Sequence, residues 1–288
     1  MGLIKNFNKT IHQIWWQGED DFKSRNIVIK PQNSVEEFLS LADCQKTYID
    51  FCNSSDWSYK FWDKEKCLDL VKKEFPQYFE AFQSIKKGVI KYDCVRAMIL
   101  YVDGGLYVDL DTYLTQDLND FFDIEYVEYD VRELLVSQSP QYGISDRVKV
   151  RSNYLAIFSQ EPYIHEYYYN LYGVRVNKVC NSVMFSSKKY SIWLDLLESG
   201  FSKSQNLHVL DYFGPSALHN LVTKKILENT EALIQSGTLK VEDGDDLCSG
   251  LNGVEILVVP KEYFQQTRKT DNLNQYIVHK FEGSWMPK

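Results

Sequence analysis

Long apolar runs, zinc-type cysteine pairs and blocks of basic residues are all missing from this 288-residue sequence. No apolar run reaches the roughly 18 residues that a membrane-spanning helix needs, so we expect no transmembrane segment. The formal net charge is −8 and the Lys and Arg residues are scattered. This pattern disfavours nucleic-acid binding, because a phosphate backbone attracts clustered cations. An acidic protein that binds an anionic ligand is expected to use a metal ion to bridge the repulsion.

The cysteines form neither CxxC pairs nor Cys/His clusters with metal-ligand spacing. They are Cys44, Cys52, Cys67, Cys94, Cys180 and Cys248. A chain of this length can bury a sizeable core without disulfides, and its start has no secretory signal. We therefore expect reduced thiols and a cytoplasmic or otherwise soluble location.

Short β-type runs alternate with helical patterns along the chain, which is typical of an α/β fold. We predict strands over residues 10–18, 57–62, 106–114, 134–138, 154–158, 182–186 and 254–259. We predict helices over residues 34–52, 63–75, 89–102, 162–172, 190–199 and 216–229. Ser34 and Glu37 form a candidate capping box for the first of these helices. Since no linker, repeat or low-complexity tract interrupts the chain, residues 1–288 are predicted to form one domain.

Two aspartates follow a double glycine in "YVDGGLYVDLD", residues 101–111. On a strand Asp109 and Asp111 share one face while Leu110 enters the core. Two neighbouring carboxylates repel each other unless a cation neutralises them, and oxygen ligands suit Mg²⁺ or Mn²⁺. The glycines let the backbone approach a ligand closely. Chance alone predicts about five acidic-x-acidic triplets in such a sequence, but this one ends a buried-looking strand.

The surrounding sequence resembles glycosyltransferase family 32, the DXD sugar-binding family that includes the yeast-type initiating α-1,6-mannosyltransferase. "YDCVRAMILYVDGGLYVDLD" (92–111) matches its D-x-x-R … GG-x-Y-x-D-x-D signature. The catalytic domains of large glucosylating toxins share that pattern. "IHQIWWQG" (11–18) is similar to the family's opening strand and "HKFEGSW" (279–285) to its C-terminal block. Residues 137–178 align poorly with the family, and their role is not assigned.

This resemblance implies an α/β fold of the GT-A type, with a Rossmann-like mixed sheet and helices on both sides. It implies a retaining glycosyltransferase that uses Mn²⁺ or Mg²⁺ and a nucleotide-sugar donor, with UDP-sugar favoured and GDP-mannose possible. The acceptor is a hydroxyl group of a glycan or a protein. Because neither a membrane anchor nor a signal is visible, we expect a bacterial or viral enzyme rather than a Golgi one.

The resemblance also implies roles for individual residues. Asp111 and His279 bind the metal, and Asp109 contacts the ribose, a water on the metal, or both. Asp93 and Arg96 bind hydroxyl groups of the donor sugar. The residues that the resemblance implies contact the nucleotide or the sugar are Ile14, Trp15, Tyr107, Asn181, Ser284 and Trp285. Residues 279–288 are expected to act as a tail that orders over the bound donor.

Simpler interpretations exist for several of these residues. Asp93 and Arg96 form an i,i+3 pair on one helix face, although a buried pair in a nearly all-apolar helix needs a tight partner. A lone tryptophan such as Trp15 more often packs in a core, and Trp16 is expected there. Asn181 fits a turn at a strand end, and a lone histidine such as His279 usually has a structural role.

Two other functions remain open at this point. The chain is alternatively a sugar-nucleotide-binding or lectin-like module without turnover. A DxD phosphatase is the third candidate, but Tyr113 stands where those enzymes carry Thr or Val two residues after the second aspartate. Phe213-Gly214-Pro215 also replaces the family's frequent Thr-Gly-Pro, so the identity of the substrate is not carried over from the family.

Overall fold

The computed structural model describes residues 4, 6–25, 40–122, 127–129, 148–150, 154–161, 179–203, 207–235, 255–265 and 275–280. Its strands are β1 (Thr10–Ile14), β2 (Ser58–Trp62), β3 (Gly105–Val108), β4 (Thr112–Leu114), β5 (Val127–Tyr129), β6 (Val148–Val150), β7 (Ala156–Gln160), β8 (Val179–Ser186), β9 (Ile256–Val259) and β10 (Ile277–His279). Its α-helices are α1 (Glu19–Arg25), α2 (Leu41–Ser54), α3 (Lys64–Glu74), α4 (Phe79–Ser84), α5 (Gly88–Asp103), α6 (Leu118–Phe122), α7 (Ile192–Ser202), α8 (Pro215–Gln235) and α9 (Lys261–Phe264). Two 3₁₀ helices span Pro76–Tyr78 and Val209–Asp211.

A six-stranded mixed sheet forms the centre of the fold, with strand order β2-β1-β3-β8-β7-β9. Strand β1 is parallel to β2 and β3, β8 is antiparallel to both β3 and β7, and β7 is parallel to β9. All residues of the inner strands β1 and β3, and of the edge strand β9, are buried, so the sheet is covered on both faces at these strands. The predicted α/β class, with a mixed sheet flanked by helices, is confirmed.

Two smaller antiparallel pairs accompany this sheet. Strand β10 pairs with β4, placing His279 opposite Thr112, and β5 pairs with β6. The β10–β4 pair was not predicted, because neither three-residue strand carries a clear alternating pattern. It determines where the C-terminal part of the described chain lies.

Helix α5 buries two charged residues among apolar ones. Nine of its residues are buried, and Asp93 and Arg96 are among them. The helix ends at Gly104, whose positive φ of 68° lets the chain turn directly into β3. Helix α5 therefore places two buried charged residues close to strand β3 and to Asp109, which follows it.

The structure corrects the predicted start of the second helix. Helix α2 begins at Leu41 rather than at residue 34, because Ser40 has an extended backbone and caps the helix. Ser40 Oγ accepts a hydrogen bond from the Asp43 backbone N–H, and the Asp43 carboxylate accepts one from the Ser40 N–H. This capping box satisfies exposed N–H groups of the first turn. The proposed Ser34–Glu37 box lies outside the described residues.

Other element predictions have mixed outcomes. The helices predicted at 63–75, 89–102, 190–199 and 216–229 are present as α3, α5, α7 and α8. Strand predictions at 10–18, 57–62, 154–158, 182–186 and 254–259 are confirmed by β1, β2, β7, β8 and β9. The predicted strand 134–138 and helix 162–172 lie outside the described residues. Trp16 packs against the main core beside Phe82 and Tyr92, as expected.

The double glycine does not have the role that the sequence suggested. A Cβ atom on Gly105 would lie 2.4 Å from the Thr10 carbonyl oxygen, and one on Gly104 would lie 2.7 Å from the Lys188 backbone nitrogen. Both glycines thus permit close contact between neighbouring protein segments. Gly104 and Gly105 lie at the start of β3, roughly 13 to 16 Å of extended chain before Asp109, so their close approach is to protein backbone rather than to a ligand.

None of the helices in the described part of the chain is both long enough and apolar enough to cross a membrane. The five described cysteines are free, and four of them are buried. Cys248 lies outside the described residues.

Candidate active site

The two aspartates lie in a turn at the carboxyl end of β3. The predicted continuous strand over residues 106–114 is wrong, because β3 ends at Val108 and β4 begins at Thr112. The Asp109 carbonyl oxygen closes the turn by accepting hydrogen bonds from the Thr112 N–H at 3.2 Å and the Thr112 hydroxyl at 2.6 Å. Leu110 is buried, as expected, in a small apolar cluster. The aspartates are therefore brought together by a turn rather than by strand alternation.

Strand β10 brings His279 to this turn. The Lys280 N–H donates to the Asp111 carbonyl oxygen at 2.8 Å, which extends the β10–β4 pairing as far as the turn. His279 Nε2 lies 3.3 Å from Asp111 Oδ1. One ligand atom from each of Asp109, Asp111 and His279 lies within 4.8 Å of the others. Three residues named from the sequence therefore converge on one point.

The chemistry of this trio fits a divalent cation. Two carboxylates and one imidazole nitrogen supply oxygen and nitrogen ligands. This mixed set suits Mn²⁺ better than Mg²⁺, because Mg²⁺ prefers oxygen ligands alone. The Asp109 and Asp111 side chains are 27% and 16% exposed, so the carboxylates are held close together with limited access to water. Such a concentration of negative charge favours a bound cation.

Electrostatics in the trio point in the same direction. Burial alone lowers the pKa of His279, but the Asp111 and Asp109 carboxylates outweigh burial and raise it. Burial raises the pKa of the Asp109 carboxyl and Asp111 adds to this, while Arg96 and His279 oppose it. The site thus attracts positive charge at its centre, whether as a proton on His279 or as a metal ion.

Four other predicted site residues form a connected group beside Asp109. The Arg96 guanidinium lies 3.2 Å from Asp93 Oδ1 and 3.5 Å from Asp109 Oδ1. The Tyr107 hydroxyl donates to Asp109 Oδ1 at 2.6 Å, and the guanidinium carbon of Arg96 stands 4.8 Å from the Tyr107 ring centroid. Asn181 Nδ2 donates to Asp93 Oδ1 at 3.0 Å, and its carbonyl oxygen accepts from Arg96 Nη1 at 2.7 Å. The structure therefore places Asp93, Arg96, Tyr107 and Asn181 in one network.

Two buried polar atoms of this network lack a hydrogen-bond partner within the described residues. They are Asp93 Oδ2 and Arg96 Nε. A buried polar atom without a partner is costly, so such atoms are often found where a ligand binds. One accepts and the other donates hydrogen bonds, which matches the two capacities of a hydroxyl group.

The charges of the network are balanced by Arg96. Burial raises the pKa of Asp93 to about 6, although the Arg96 charge and the Asn181 hydrogen bond act against that rise. Burial alone lowers the pKa of Arg96, but Asp109, Tyr107 and Asp93 together keep it above its ordinary value. Arg96 is thus a permanent cation between two carboxylates.

Ile14 and Trp15 lie at the same edge of the sheet as Asp109. Strands β1 and β3 are parallel neighbours with His12 level with Tyr107, so both strands end there. The carboxyl ends of parallel strands are the usual place for ligands in α/β sheets. Trp15 is partly exposed, packs beside the small apolar cluster and donates from Nε1 to Asp21 Oδ2 at 2.9 Å. Its position is compatible with the predicted contact to a nucleobase.

The remaining predicted residues cannot be placed. Ser284 and Trp285 lie outside the described residues, as does most of the predicted tail 279–288; only His279 and Lys280 of that tail are described. Sequence reasoning missed Gln265, whose side-chain oxygen lies 2.9 Å from His279 Nδ1. The residue directly follows "VVPKEYF" (258–264), a block that resembles the family. That block could have indicated a site residue here, whereas a glutamine by itself does not.

Comparison with known families identifies the region around the turn. Residues 40–128 match the family model described as the glycosyltransferase sugar-binding region containing the DXD motif. The matched residues, about a third of the chain, are similar to that DXD-containing region. The matched segment contains Asp93, Arg96, Tyr107, Asp109 and Asp111, and the predicted resemblance is confirmed.

Curated relatives agree with this assignment over part of their length. Inositol phosphoceramide mannosyltransferase 1 of Schizosaccharomyces pombe is 27% identical over 110 residues, which are 38% of this chain and 30% of that protein. An uncharacterized glycosyltransferase of Acanthamoeba polyphaga mimivirus is 28% identical over 119 residues, which are 40% of each chain. The match therefore spans less than half the length of these relatives.

Two solved glycosyltransferase structures show a distant likeness over most of the chain. The PaToxG glycosyltransferase has a TM-score of 0.40 and 13% identity, covering 81% of this chain and 74% of that one. A glycosyltransferase involved in glycosylation of the major capsid of PBCV-1 has a TM-score of 0.39 and 12% identity, covering 94% and 92%.

Proposed function

We propose that this chain is a metal-dependent, retaining glycosyltransferase of the GT-A type. It transfers a hexose or N-acetylhexosamine from a UDP- or GDP-linked sugar to a hydroxyl group of an acceptor. The observation that carries the proposal is the convergence of Asp109, Asp111 and His279 within the DXD-type region. The convergence supplies a cation site where an acidic protein needs one to bind a diphosphate.

Asp109, Asp111 and His279 would hold the metal, with Mn²⁺ favoured by the mixed ligand set. A divalent ion held by these residues would neutralise the diphosphate and the charge that develops as the diphosphate leaves. Asp109 has a second role, because its Oδ1 also accepts from Tyr107 and faces Arg96. Asp109 thus links the metal site to the neighbouring sugar-binding group.

Asp93 and Arg96 would hold the donor sugar through the two atoms that have no hydrogen-bond partner within the described residues. The salt bridge between them and the Asn181 contacts fix both side chains before the donor arrives. Such fixed groups lower the ordering cost of binding and orient the reacting carbon. Trp15 would stack on the nucleobase and Ile14 would contact it through its backbone. Retention of configuration is proposed from the family resemblance.

The names of the relatives bear on the donor and the acceptor. Since one of them is named an inositol phosphoceramide mannosyltransferase, we include a mannosyl donor and a lipid-linked hydroxyl acceptor beside the glycan and protein acceptors. We also propose that residues 1–288 act as one domain. Ser284 and Trp285 would contact the departing diphosphate from a tail formed by residues 279–288.

The test measures release of nucleoside diphosphate from UDP- and GDP-linked sugars, with Mn²⁺, with Mg²⁺ and with chelator. Wild type, Asp111→Asn and Asp50→Asn are compared. Asp50 is an exposed carboxylate paired with Lys46 on α2, so its substitution changes the net charge equally without touching the turn. We expect release from one donor with Mn²⁺, unchanged in Asp50→Asn and reduced about 100-fold or more in Asp111→Asn, the usual effect of removing one group that stabilises developing charge.

Three other outcomes would favour a different function or mechanism. Binding of a sugar nucleotide without any release, followed by thermal shift, would support a binding module without turnover. Release that survives both chelation and Asp111→Asn would contradict the metal-dependent mechanism. Phosphate release from simple phosphoesters would favour the phosphatase alternative.

A further inference from the structure

Gln265 is a buried polar residue that lies behind His279 and connects strand β10 to two strands of the main sheet. It directly follows α9 and is 1% exposed. Its Nε2 donates to Ser159 Oγ on β7 at 2.8 Å and lies 3.0 Å from Ser182 Oγ on β8. Its Oε1 lies 2.9 Å from His279 Nδ1 on β10. One side chain therefore contacts two strands of the main sheet and the strand that carries a proposed metal ligand.

These contacts decide which imidazole nitrogen carries the proton. A glutamine amide offers two N–H donors and one acceptor oxygen. Nε2 reaches Ser159 and Ser182, while Oε1, which has two lone pairs, lies 3.2 Å from the Ser182 hydroxyl and 2.9 Å from His279 Nδ1 and can accept from both. With Nδ1 donating to Gln265, Nε2, which faces Asp111 Oδ1 at 3.3 Å, is the nitrogen left to bind a metal ion once His279 is neutral. A lone pair and a carboxylate oxygen at that separation leave room for a cation to bind both.

We propose that Gln265 is a positioning residue for the metal site: it holds His279 as the Nδ1–H tautomer, with Nε2 directed at the position that the metal occupies. The inference rests on the proposed function, because it assigns a support to a ligand of that same site. Partners that hold the second nitrogen of a histidine ligand fix its tautomer and orientation, and their loss weakens metal binding by about 10- to 100-fold.

Ser182 extends this support to a second proposed ligand. Its hydroxyl contacts Gln265, while its carbonyl oxygen accepts from the Asp109 backbone N–H at 2.9 Å. The β3 turn and His279 are therefore attached to the same residue of β8. Gln265 and Ser182 together fix the spacing between ligands that are far apart in sequence.

The first experiment titrates Mn²⁺ alone into the metal-free protein and measures bound ion by electron paramagnetic resonance. Wild type, Asp111→Asn, Gln265→Met, Gln265→Glu and Ser186→Ala are compared. We expect about 10- to 100-fold weaker binding in Gln265→Met. Gln265→Glu retains affinity, because a carboxylate accepts the same Nδ1–H proton and the two serine hydroxyl protons. Ser186 is the matched control: it is buried on the same strand as Ser182 and accepts from Trp193 Nε1 at 2.7 Å.

The outcomes separate this inference from the proposed function. If Asp111→Asn binds Mn²⁺ as tightly as wild type, the metal site itself is wrong. If Asp111→Asn loses binding while Gln265→Met and Ser186→Ala both keep it, only the role of Gln265 is overturned. If Gln265→Met does not fold, Ser159→Ala replaces it; loss of that single hydrogen bond to Gln265 is expected to weaken binding about two- to tenfold, and unchanged binding would contradict the inference.

A second measurement needs no metal and no activity. Imidazole ¹⁵N chemical shifts, assigned to His279 with a His279→Asn variant, report the tautomer at pH 9. Wild type and Gln265→Glu are expected to show the Nδ1–H form, and Ser159→Ala or Gln265→Met a mixture of the two forms. An Nε2–H form in wild type would mean that the amide is reversed and donates to His279, which would overturn the inference.

Discussion

Arg96 balances the charges of the candidate site at the scale of a single residue. Its side chain is 9% exposed and lies within 3.5 Å of both Asp93 Oδ1 and Asp109 Oδ1. Removing one partner of a buried ionic group leaves the other charges uncompensated, which destabilises more than the intact group stabilises. The residue is therefore needed for the fold as well as for the proposed sugar contact.

We predict that Arg96→Met lowers the free energy of unfolding at pH 7 by about 3–5 kcal/mol. Lys60→Met is the control, because Lys60 pairs with Asp103 at 2.6 Å but is 51% exposed; a surface pair contributes about 0–1 kcal/mol. Urea denaturation of both variants and of Arg96→Met/Asp93→Asn tests this. The double variant should recover part of the loss, because it removes a carboxylate left without its cation. Equal, small losses in the two single variants would contradict the prediction.

At the scale of an element, the position of strand β3 in the sheet is set by its first residue, Gly105, rather than by the site residues that follow it. Gly105 has a φ of 89° and lies against β1, where an added Cβ would meet the Thr10 carbonyl oxygen. The strand can lie between β1 and β8 only if the chain enters without a side chain at this point. The double glycine supports the site indirectly, by setting the level at which Asp109 leaves the sheet.

Gly105→Ala should therefore be much more damaging than the same change at another glycine with positive φ. Gly18 has a φ of 93°, and an added Cβ there would meet nothing within 4 Å. We expect Gly18→Ala to lower the free energy of unfolding by about 1 kcal/mol through backbone strain. Gly105→Ala adds overlap with a backbone oxygen and should lower it by about 3 kcal/mol or more. Urea denaturation measures both losses. Similar losses in the two variants would contradict the prediction and show that β1 shifts to accommodate the added Cβ atom.

At the scale of the whole molecule, two buried groups make stability depend on pH in opposite senses. Burial lowers the pKa of His12 to about 4, against an ordinary 6.5, although Asp103 and the Gly104 carbonyl act the other way. Trp62 Nε1 donates to His12 Nδ1 at 3.1 Å, and His12 Nε2 lies 3.0 Å from the Gly104 oxygen, an arrangement that a neutral imidazole satisfies. The pKa of Asp93 is instead raised by burial to about 6, against an ordinary 3.8.

The sign of each contribution follows from proton binding. Between pH 4 and 6.5 the unfolded chain binds more protons at His12, so that contribution falls as the pH falls. Between pH 3.8 and 6 the folded chain binds more protons at Asp93, so that contribution rises as the pH falls. Each amounts to about 3 kcal/mol over its full range. The two therefore largely cancel in the wild-type protein.

We predict that substitution of either group exposes the contribution of the other. In His12→Gln, acidification from pH 6.5 to 4.5 should raise the free energy of unfolding relative to the wild-type trend. In Asp93→Asn the same acidification should lower it. Urea denaturation of the three proteins at both pH values is the measurement, and parallel trends in all three would contradict the assigned pKa directions.

Sequence patterns were informative wherever a structure depends on nearby residues. The apolar pattern and the break at Gly104 predicted α5 and the strand that follows it, and the resemblance carried by the D-x-x-R … D-x-D spacing implied that Asp93, Arg96, Tyr107 and Asp109 belong to one site. The same local logic was wrong about where α2 begins: Ser34 and Ser40 are each followed three residues later by an acidic residue, and the cap of α2 is Ser40.

The sequence by itself determined the α/β class, the five longest helices, five of the six strands of the main sheet, and the region that carries the DXD motif, because these depend on periodicity and on short spacings. Only the tertiary structure decided that Asp109 and Asp111 lie in a turn, that β10 pairs with β4, and that Gln265 lies behind His279. The turn is closed locally by Thr112, whereas the other two features depend on contacts between segments far apart in the chain. No local pattern encodes which short strand will pair with which, or which buried amide will meet a given imidazole, because that choice is made by packing of the whole core.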